Sequence, residues 1–323
     1  MSGPKVTIAT LVYNTGKFVV EALKAISEID YPNIENIIID DFSSDCFSTQ
    51  MVEDWIKENN YPCIFIKHQE NWGICKTLNQ VVALSSGEYL IYCSDDILEV
   101  DSIQKMVAHF KSLPEEYGIV YGDISVIDSN SSVIEESYFR TKNQDPALPI
   151  TFSTYLRSKR RFPTIGTMYR RKIFTAIGPY DENLIAEDVD IHLRILSKYS
   201  CSYCGSKVAR YRRHDNQLSK KQSLWYVQDR LKIFVKWLGK CSEQDSEYLK
   251  NAIIYLLIRS YLNGDSNVKE NIRIVKKYYM PLKIKLLILL VNLKIPVSLV
   301  KTYLFLVERL KLIFYTTRLK RYV

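Results

Sequence analysis

The run Ile37-Ile38-Ile39-Asp40-Asp41-Phe42-Ser43-Ser44-Asp45 joins three β-branched residues directly to a pair of carboxylates. These isoleucines close Ile34–Ile39, which reads as a buried strand of the kind that arises where helices cover both sides of a parallel sheet. The pattern recurs at Tyr89–Cys93, which continues through Ser94 into Asp95-Asp96. Upstream, Val6–Val12 is another strand, closed by the turn Tyr13-Asn14-Thr15-Gly16. Between the strands the apolar period changes to that of a helix. Phe18–Ile29 carries Val19, Ala22, Leu23 and Ile26 on one face; Met51–Glu58 and Lys76–Leu84 are also helical, and Cys63–Lys67 is a short strand. This alternation predicts an α/β fold with a mostly parallel sheet and helices on both faces.

A carboxylate at a strand end is often only a turn former or a helix cap. Two acidic pairs at the carboxyl ends of strands are different, because the ligand crevice of an open α/β sheet lies there. Convergent carboxylates at that edge suit a hard divalent cation holding phosphate oxygens. Neither G-x-G-x-x-G nor G-x-x-x-x-G-K-[ST] occurs, so dinucleotide and P-loop sites have no support. With 47% hydrophobic and 25% charged residues the chain is too apolar for disorder, and only 11 Gly and 10 Pro exclude collagen-like and low-complexity readings. The seven cysteines, Cys46, Cys63, Cys75, Cys93, Cys201, Cys204 and Cys241, are odd in number and dispersed. Met1 leads into a polar turn and a strand without the apolar stretch of a signal peptide, so free thiols in a reducing, cytoplasmic compartment are expected. Cys201 and Cys204 form a CxxC inside the strand-like run Tyr199–Tyr211, with no second pair to complete a zinc site.

Five ordered segments resemble family 2 glycosyltransferases. They are Val6-Thr7-Ile8-Ala9-Thr10-Leu11-Val12-Tyr13-Asn14; Asp40-Asp41-Phe42-Ser43-Ser44-Asp45; Asn71-Trp72-Gly73 followed by Asn79; Ser94-Asp95-Asp96; and Glu187-Asp188 with Arg194. The resemblance covers roughly residues 4–220. It implies a GT-A catalytic domain over residues 1–220 and an inverting, metal-dependent hexosyl transfer from a UDP- or dTDP-sugar to a glycan hydroxyl. In that scheme Asp41 accepts a hydrogen bond from the donor's pyrimidine, Leu11 and Tyr13 frame the base, and Asp95 lies near the ribose. Asp96, with His214 from the closing segment Tyr211–Ser219, would hold Mn²⁺ or Mg²⁺, and Lys76 would add positive charge near the phosphates. Arg212 and Arg213 would also suit phosphate. Asp188 would be the catalytic base, with Glu187, Gly166 and Thr167 on the acceptor side. His68, His109 and His192 read as structural. Phe42 occupies the family's usual Gly place, Cys93 a place often Asp, and Leu11 one often Pro or Thr.

The excess positive charge lies at the C-terminal end. Residues 281–323 hold nine Lys/Arg and one acidic residue, Glu308, which equals the +8 of the whole chain. Residues 221–323 read as a basic, helical region, with helices over Lys250–Leu262 and Val297–Arg318. The second carries a stripe of Leu299, Tyr303, Leu306, Leu310 and Ile313. The Leu286–Val291 run is bracketed by Lys283, Lys285 and Lys294 and is too short to span a bilayer. A basic amphipathic region of this kind fits an anionic membrane surface, so residues 281–323 are expected to hold a peripheral enzyme near a lipid-linked acceptor of surface polysaccharide, such as O-antigen or capsule. The same stripe would also serve contact with another subunit in a homo-oligomer. Rival readings are a catalytically silent scaffold and a sugar nucleotidyltransferase, for which Thr15-Gly16-Lys17 is too slight a phosphate loop. Nucleic-acid binding is disfavoured, because the basic charge accompanies an aliphatic stripe without interleaved stacking residues.

Overall fold

A computed structural model describes residues 3–45, 47–146, 148–157, 160–215 and 225–302. The chain divides into two compact units, residues 1–155 with 160–217 and residues 156–159 with 218–323.

The first unit is built on β1 (Val6–Val12), β2 (Ile34–Asp40), β3 (Ile64–Lys67), β4 (Tyr89–Cys93), β5 (Ile97–Leu98), β6 (Tyr117–Ile127), β7 (Val133–Glu135), β8 (Thr167–Arg170) and β9 (Ser200–Arg212). Their order is β3-β2-β1-β4-β8-β6-β9-β5, with β7 paired to β6. β1 pairs parallel with β2 and β4, which leaves both its faces to be covered by helices, and Val6, Ile8, Ala9 and Val12 are accordingly buried. The chain runs outward from β1 to β3 and then crosses back to β4, so the topological switch point lies between the carboxyl ends of β1 and β4. Beyond β4 the sheet is mixed: β8 is antiparallel to both β4 and β6, while β9 is parallel to β6. The consequence is geometric. Because Ile91 pairs with Met168 in antiparallel register, the residues just ahead of β8 lie at the edge where β4 ends.

Helices α1 (Lys17–Ser27), α2 (Ser48–Glu58), α3 (Ile74–Leu84) and α4 (Ser102–Lys111) follow the expected apolar spacing, and α1 buries Val19, Ala22, Leu23 and Ile26. α2 starts ahead of the expected Met51 because Asp45 caps it. Its carboxylate accepts from the Ser48 amide (2.9 Å) and hydroxyl (2.5 Å), and the Ser48 hydroxyl in turn accepts from Gly16 N–H (2.7 Å). Burial pushes the Asp45 carboxyl up, but these bonds outweigh it and hold its pKa below the ordinary carboxylate value. Short helices α5 (Tyr138–Thr141), α6 (Phe152–Leu156) and α7 (Ile173–Ile177) precede α8 (Glu187–Leu196).

The second unit contains α9 (Trp225–Trp237), α10 (Glu243–Leu262), α11 (Val268–Lys276) and α12 (Leu282–Asn292). α10 begins well ahead of Lys250, because the Ser242 hydroxyl accepts from Asp245 N–H (3.1 Å) and caps it. Asp245 is buried and accepts two hydrogen bonds from Arg157, from Nε at 2.8 Å and from Nη2 at 2.6 Å. Residues 297–302 are helical; the remainder of the expected Val297–Arg318 helix, with Tyr303, Leu306, Leu310 and Ile313, lies outside the described residues. No described helix is long and apolar enough to cross a membrane.

Candidate active site

The first acidic pair divides its work. Asp40 is buried and folds its own loop, accepting from Ser43 N–H (3.1 Å), the Ser43 hydroxyl (2.6 Å) and the Thr49 hydroxyl. Asp41 is turned to the other side. Its Oδ1 accepts from Trp72 N–H and His68 Nδ1–H, both at 2.7 Å, and its Oδ2 accepts from Gly73 N–H at 2.9 Å. A carboxylate offers about four lone-pair positions, so this one retains capacity for a ligand donor. The Asn71 side chain ties the same strand end by donating to the Asp41 carbonyl (3.0 Å), and Trp72 stacks on His68 with ring centroids 4.0 Å apart. His68 is buried, as a structural reading requires, yet its task is to hold Asp41. Asn14 adopts a left-handed φ of 54° and its Oδ1 accepts from Ser44 N–H (2.7 Å) and Asp45 N–H (3.0 Å), which pins the turn after β1 to the loop after β2. Tyr13 and Phe42 stand 51% and 50% exposed at this rim, while Leu11 is half-buried.

At the end of β4, the Ser94 hydroxyl donates to the Leu11 carbonyl (2.8 Å) and closes the strand against β1. Asp95 pairs through Oδ2 with His214 Nε2 at 2.6 Å. Asp96 is buried, its Oδ1 accepts Arg212 N–H at 2.8 Å, and burial followed by the adjacent Asp95 charge raises its pKa well above the usual carboxylate value. Arg212 is fully buried and does not reach toward a phosphate. Its guanidinium donates to the Asp95 carbonyl (2.9 Å), the Ser131 hydroxyl (2.9 Å), the Asp128 carbonyl (3.3 Å) and Glu21 (2.7 Å). Arg213 pairs with Glu135. The Phe18 ring supports both sides of this cluster, 4.8 Å from the His214 ring and 4.7 Å from the Arg212 guanidinium. Sequence reasoning gave Phe18 no such part; its place at the first turn of α1, beside the Tyr-Asn turn, was the available signal. Lys76 sits with its ammonium 4.1 Å from the centre of the Trp72 ring, at the Asp41 end of the crevice.

Asp188 reaches the same edge through β8. Its Oδ2 lies 3.5 Å from the hydroxyl of Thr164, just ahead of that strand, and its Oδ1 accepts from Val189 N–H at 2.7 Å. Two motif residues fix its helix. Asn79 clasps Tyr180 by accepting from its N–H (2.7 Å) and donating to its carbonyl (3.1 Å), while Arg194 bonds Asp190 (2.9 Å) and the Ile177 carbonyl (2.8 Å). Behind Asp188, His192 is fully buried between the hydroxyls of Tyr155 and Tyr169, each 2.7 Å from one ring nitrogen. Burial lowers the pKa of His192 to about 4, against the opposing pull of Asp188. Tyr138 also senses Asp188: burial raises its pKa most, the Arg161 charge opposes the rise, and the Asp188 charge adds to it.

The other residues expected on the acceptor side fall differently. Glu187 opens α8 beside Asp188. Gly166 has φ 78° and is packed so closely that a Cβ would stand 2.8 Å from Val208 Cγ2, and Thr167 is buried with its hydroxyl on the Pro163 carbonyl (2.5 Å). Both are packing residues that shape the edge from within. Among the described residues no group of three or more His, Cys, Asp or Glu is gathered tightly enough to hold a metal alone. Asp95, Asp96 and His214 stand together at this edge but do not by themselves form a closed set of cation ligands.

A doubly wound half-sheet extended by an antiparallel strand, with carboxylates at the ends of β2 and β4 and another beside the start of β8, is a GT-A fold. Residues 7–178, more than half the chain, match the Glycosyl transferase family 2 pattern, and the chain belongs to that family. An uncharacterized glycosyltransferase of Rickettsia felis is 28% identical over 222 residues, which is 68% of this chain but only 36% of that protein. S. aureus TarS 1–349 in complex with UDP-GlcNAc shares the fold with a TM-score of 0.64 at 15% identity, over 85% of this chain and 80% of that one. The mannosyltransferase PcManGT from Pyrobaculum calidifontis, in complex with GDP-Man and Mn²⁺, superimposes with a TM-score of 0.58 at 16% identity, over 92% of this chain and 82% of that one.

Proposed function

We propose that the chain moves one sugar from a UDP- or dTDP-sugar to a hydroxyl of a lipid-linked glycan acceptor in surface polysaccharide synthesis, with inversion at the anomeric carbon. The observation that carries this reading is that Asp41, the Asp95–His214 pair and Asp188 lie along one sheet edge, each anchored by its own motif. The UDP-GlcNAc and GDP-Man complexes of the structural neighbours support a nucleotide-sugar donor.

Asp41, held by two amides and His68, accepts the pyrimidine N3–H, and the exposed Tyr13 flanks the base with Leu11 beneath. Lys76, over Trp72, serves the nucleotide side of the crevice. Bound Mn²⁺ or Mg²⁺ would be held by Asp95 and His214 together with diphosphate oxygens, and would offset the negative charge of the leaving nucleoside diphosphate. Asp96, anchored through Oδ1 by Arg212 N–H, keeps the metal-holding part its motif suggested and also fixes where Asp95 and the end of β9 stand. Asp188 takes the proton from the acceptor hydroxyl as that oxygen attacks the anomeric carbon, and the C–O bond to the diphosphate breaks with its electron pair leaving on the diphosphate. Thr164 steadies Asp188, and Glu187 faces the acceptor.

Thermal stabilisation by UDP, dTDP and GDP species, with and without Mn²⁺, tests the donor site. A metal-dependent rise in Tm with uridine or thymidine diphosphates, abolished in Asp95→Ala and reduced in Asp41→Asn, is the expected result. A folded chain that answers to no nucleotide would leave the silent scaffold as the better reading.

A further inference from the structure

α12 turns an apolar stripe outward. Leu282, Leu286, Leu289 and Leu293 recur at i, i+4, i+7 and i+11, and are 70%, 51%, 52% and 61% exposed. The opposite face is used for packing: Ile284 and Leu287 are buried, and the Tyr261 hydroxyl on α10 donates to the Ile295 carbonyl just past α12 (2.8 Å). At the helical period Lys283 flanks the leucine stripe on one side and Lys285 on the other, both exposed, while exposed Lys294 follows the helix end. No acidic residue occurs between Glu270 and Glu308. Four neighbouring leucines in water are unfavourable by their apolar area, and a soluble surface does not retain such a stripe without use.

We infer that this face of α12 lies in the interface of a bilayer containing anionic phospholipid, with the leucines entering the acyl boundary and the lysines at the headgroups. Charge selects this occupant. A second copy of the helix would bring lysine shoulders against lysine shoulders, and residues 303–323 of the same chain carry five Lys/Arg against one Glu, so they too would meet like charge. Anionic headgroups complement every charge on the face. Eleven residues of helix extend too little to span the hydrocarbon, so the helix lies in the plane of the surface. The inference does not depend on the sugar-transfer reading, and its test uses no donor or acceptor.

Co-sedimentation of the full chain with vesicles of phosphatidylglycerol and phosphatidylcholine, against phosphatidylcholine alone, measures it. The wild type is expected to pellet with the anionic vesicles, and Leu286→Gln/Leu289→Gln to lower the partition coefficient by about tenfold or more with an unchanged Tm, since both side chains are solvent-exposed. Lys283→Gln/Lys285→Gln is expected to weaken binding by about tenfold or more and to flatten its salt dependence. Equal pelleting of the leucine variant and the wild type would overturn the inference. So would a wild-type dimer in sedimentation that the leucine variant converts to monomer without any change in vesicle binding.

Discussion

Phe42 shows how one residue can report both strain and use. Its φ of 63° lies in the left-handed region, at the place where the family usually carries Gly, and its ring is half exposed at the rim of the crevice. Left-handed backbone costs a side-chain-bearing residue about 1–2 kcal/mol, of which part returns because glycine loosens the unfolded chain. Phe42→Gly is therefore expected to raise the urea midpoint, a gain of roughly 0.5–1 kcal/mol; an unchanged or lower midpoint would show that the ring makes compensating contacts. If the ring also borders the donor, the same variant weakens nucleotide-induced stabilisation while the fold becomes firmer, a split that a purely structural residue would not produce. Asp188→Asn makes the complementary case. The amide fits the same space beside Thr164 but cannot take a proton, so sugar transfer is expected to fall about 10²–10⁴-fold with nucleotide stabilisation retained. Loss of both together would mean that Asp188 organises the site rather than acting on the acceptor.

Strands and helices differ in how much of themselves they show in sequence. β1, β2 and β4 are rich in β-branched and aromatic residues and lead into Asn14, Asp40-Asp41 and Asp95-Asp96, and those patterns, with the helical spacing of α1 and α3, sufficed to place the Asp41 and Asp95 ends of the crevice. β6 is the longest strand but one and gives no such signal, because Gly118, Gly122 and Asp123 interrupt it. The interruption has a tertiary cause: a Cβ on Gly122 would stand 2.5 Å from Val208 of β9, a neighbour far along the chain. β8 has only four residues, all buried, so it shows no alternation from which an antiparallel strand could be read. Arg212 was legible as a basic loop residue and not as a buried hub, since burial depends on how β9 meets β5, α1 and the turn at Asp128. That hub carries a prediction. Arg212→Met would leave the Asp95 and Asp128 carbonyls without their donor in a closed setting, a loss of about 3 kcal/mol or more, whereas Glu21 can turn to water. Chemical denaturation should show that loss together with the disappearance of metal-dependent nucleotide binding. A stable variant with intact binding would remove Arg212 from the support of Asp95.

For the molecule as a whole, the short excursion of residues 156–159 into the second unit was not legible in the sequence, because it rests on the buried Arg157–Asp245 pair. The same limit governs acid stability, which a count of four histidines cannot predict. His192 is neutral and enclosed by Tyr155 and Tyr169, with its pKa lowered to about 4, and an unfolded chain would protonate it near pH 6.5. Between those values the unfolded state binds the proton and the folded state does not, so stability is fully present above about pH 6.5 and falls as pH drops toward 4. The drop attributable to this one ring is about 3 kcal/mol. Other groups titrate in the same window, His109 among them with its pKa also lowered by burial, so the measurement must be a difference. His192→Gln keeps a donor and an acceptor between the two tyrosines while removing the titration. Denaturation free energies of both proteins at intervals from pH 7.5 to 4 should converge as the wild type loses stability faster. Parallel curves would mean that the imidazole takes up its proton in the fold as readily as in the unfolded chain, with both ring nitrogens then donating to the tyrosine oxygens.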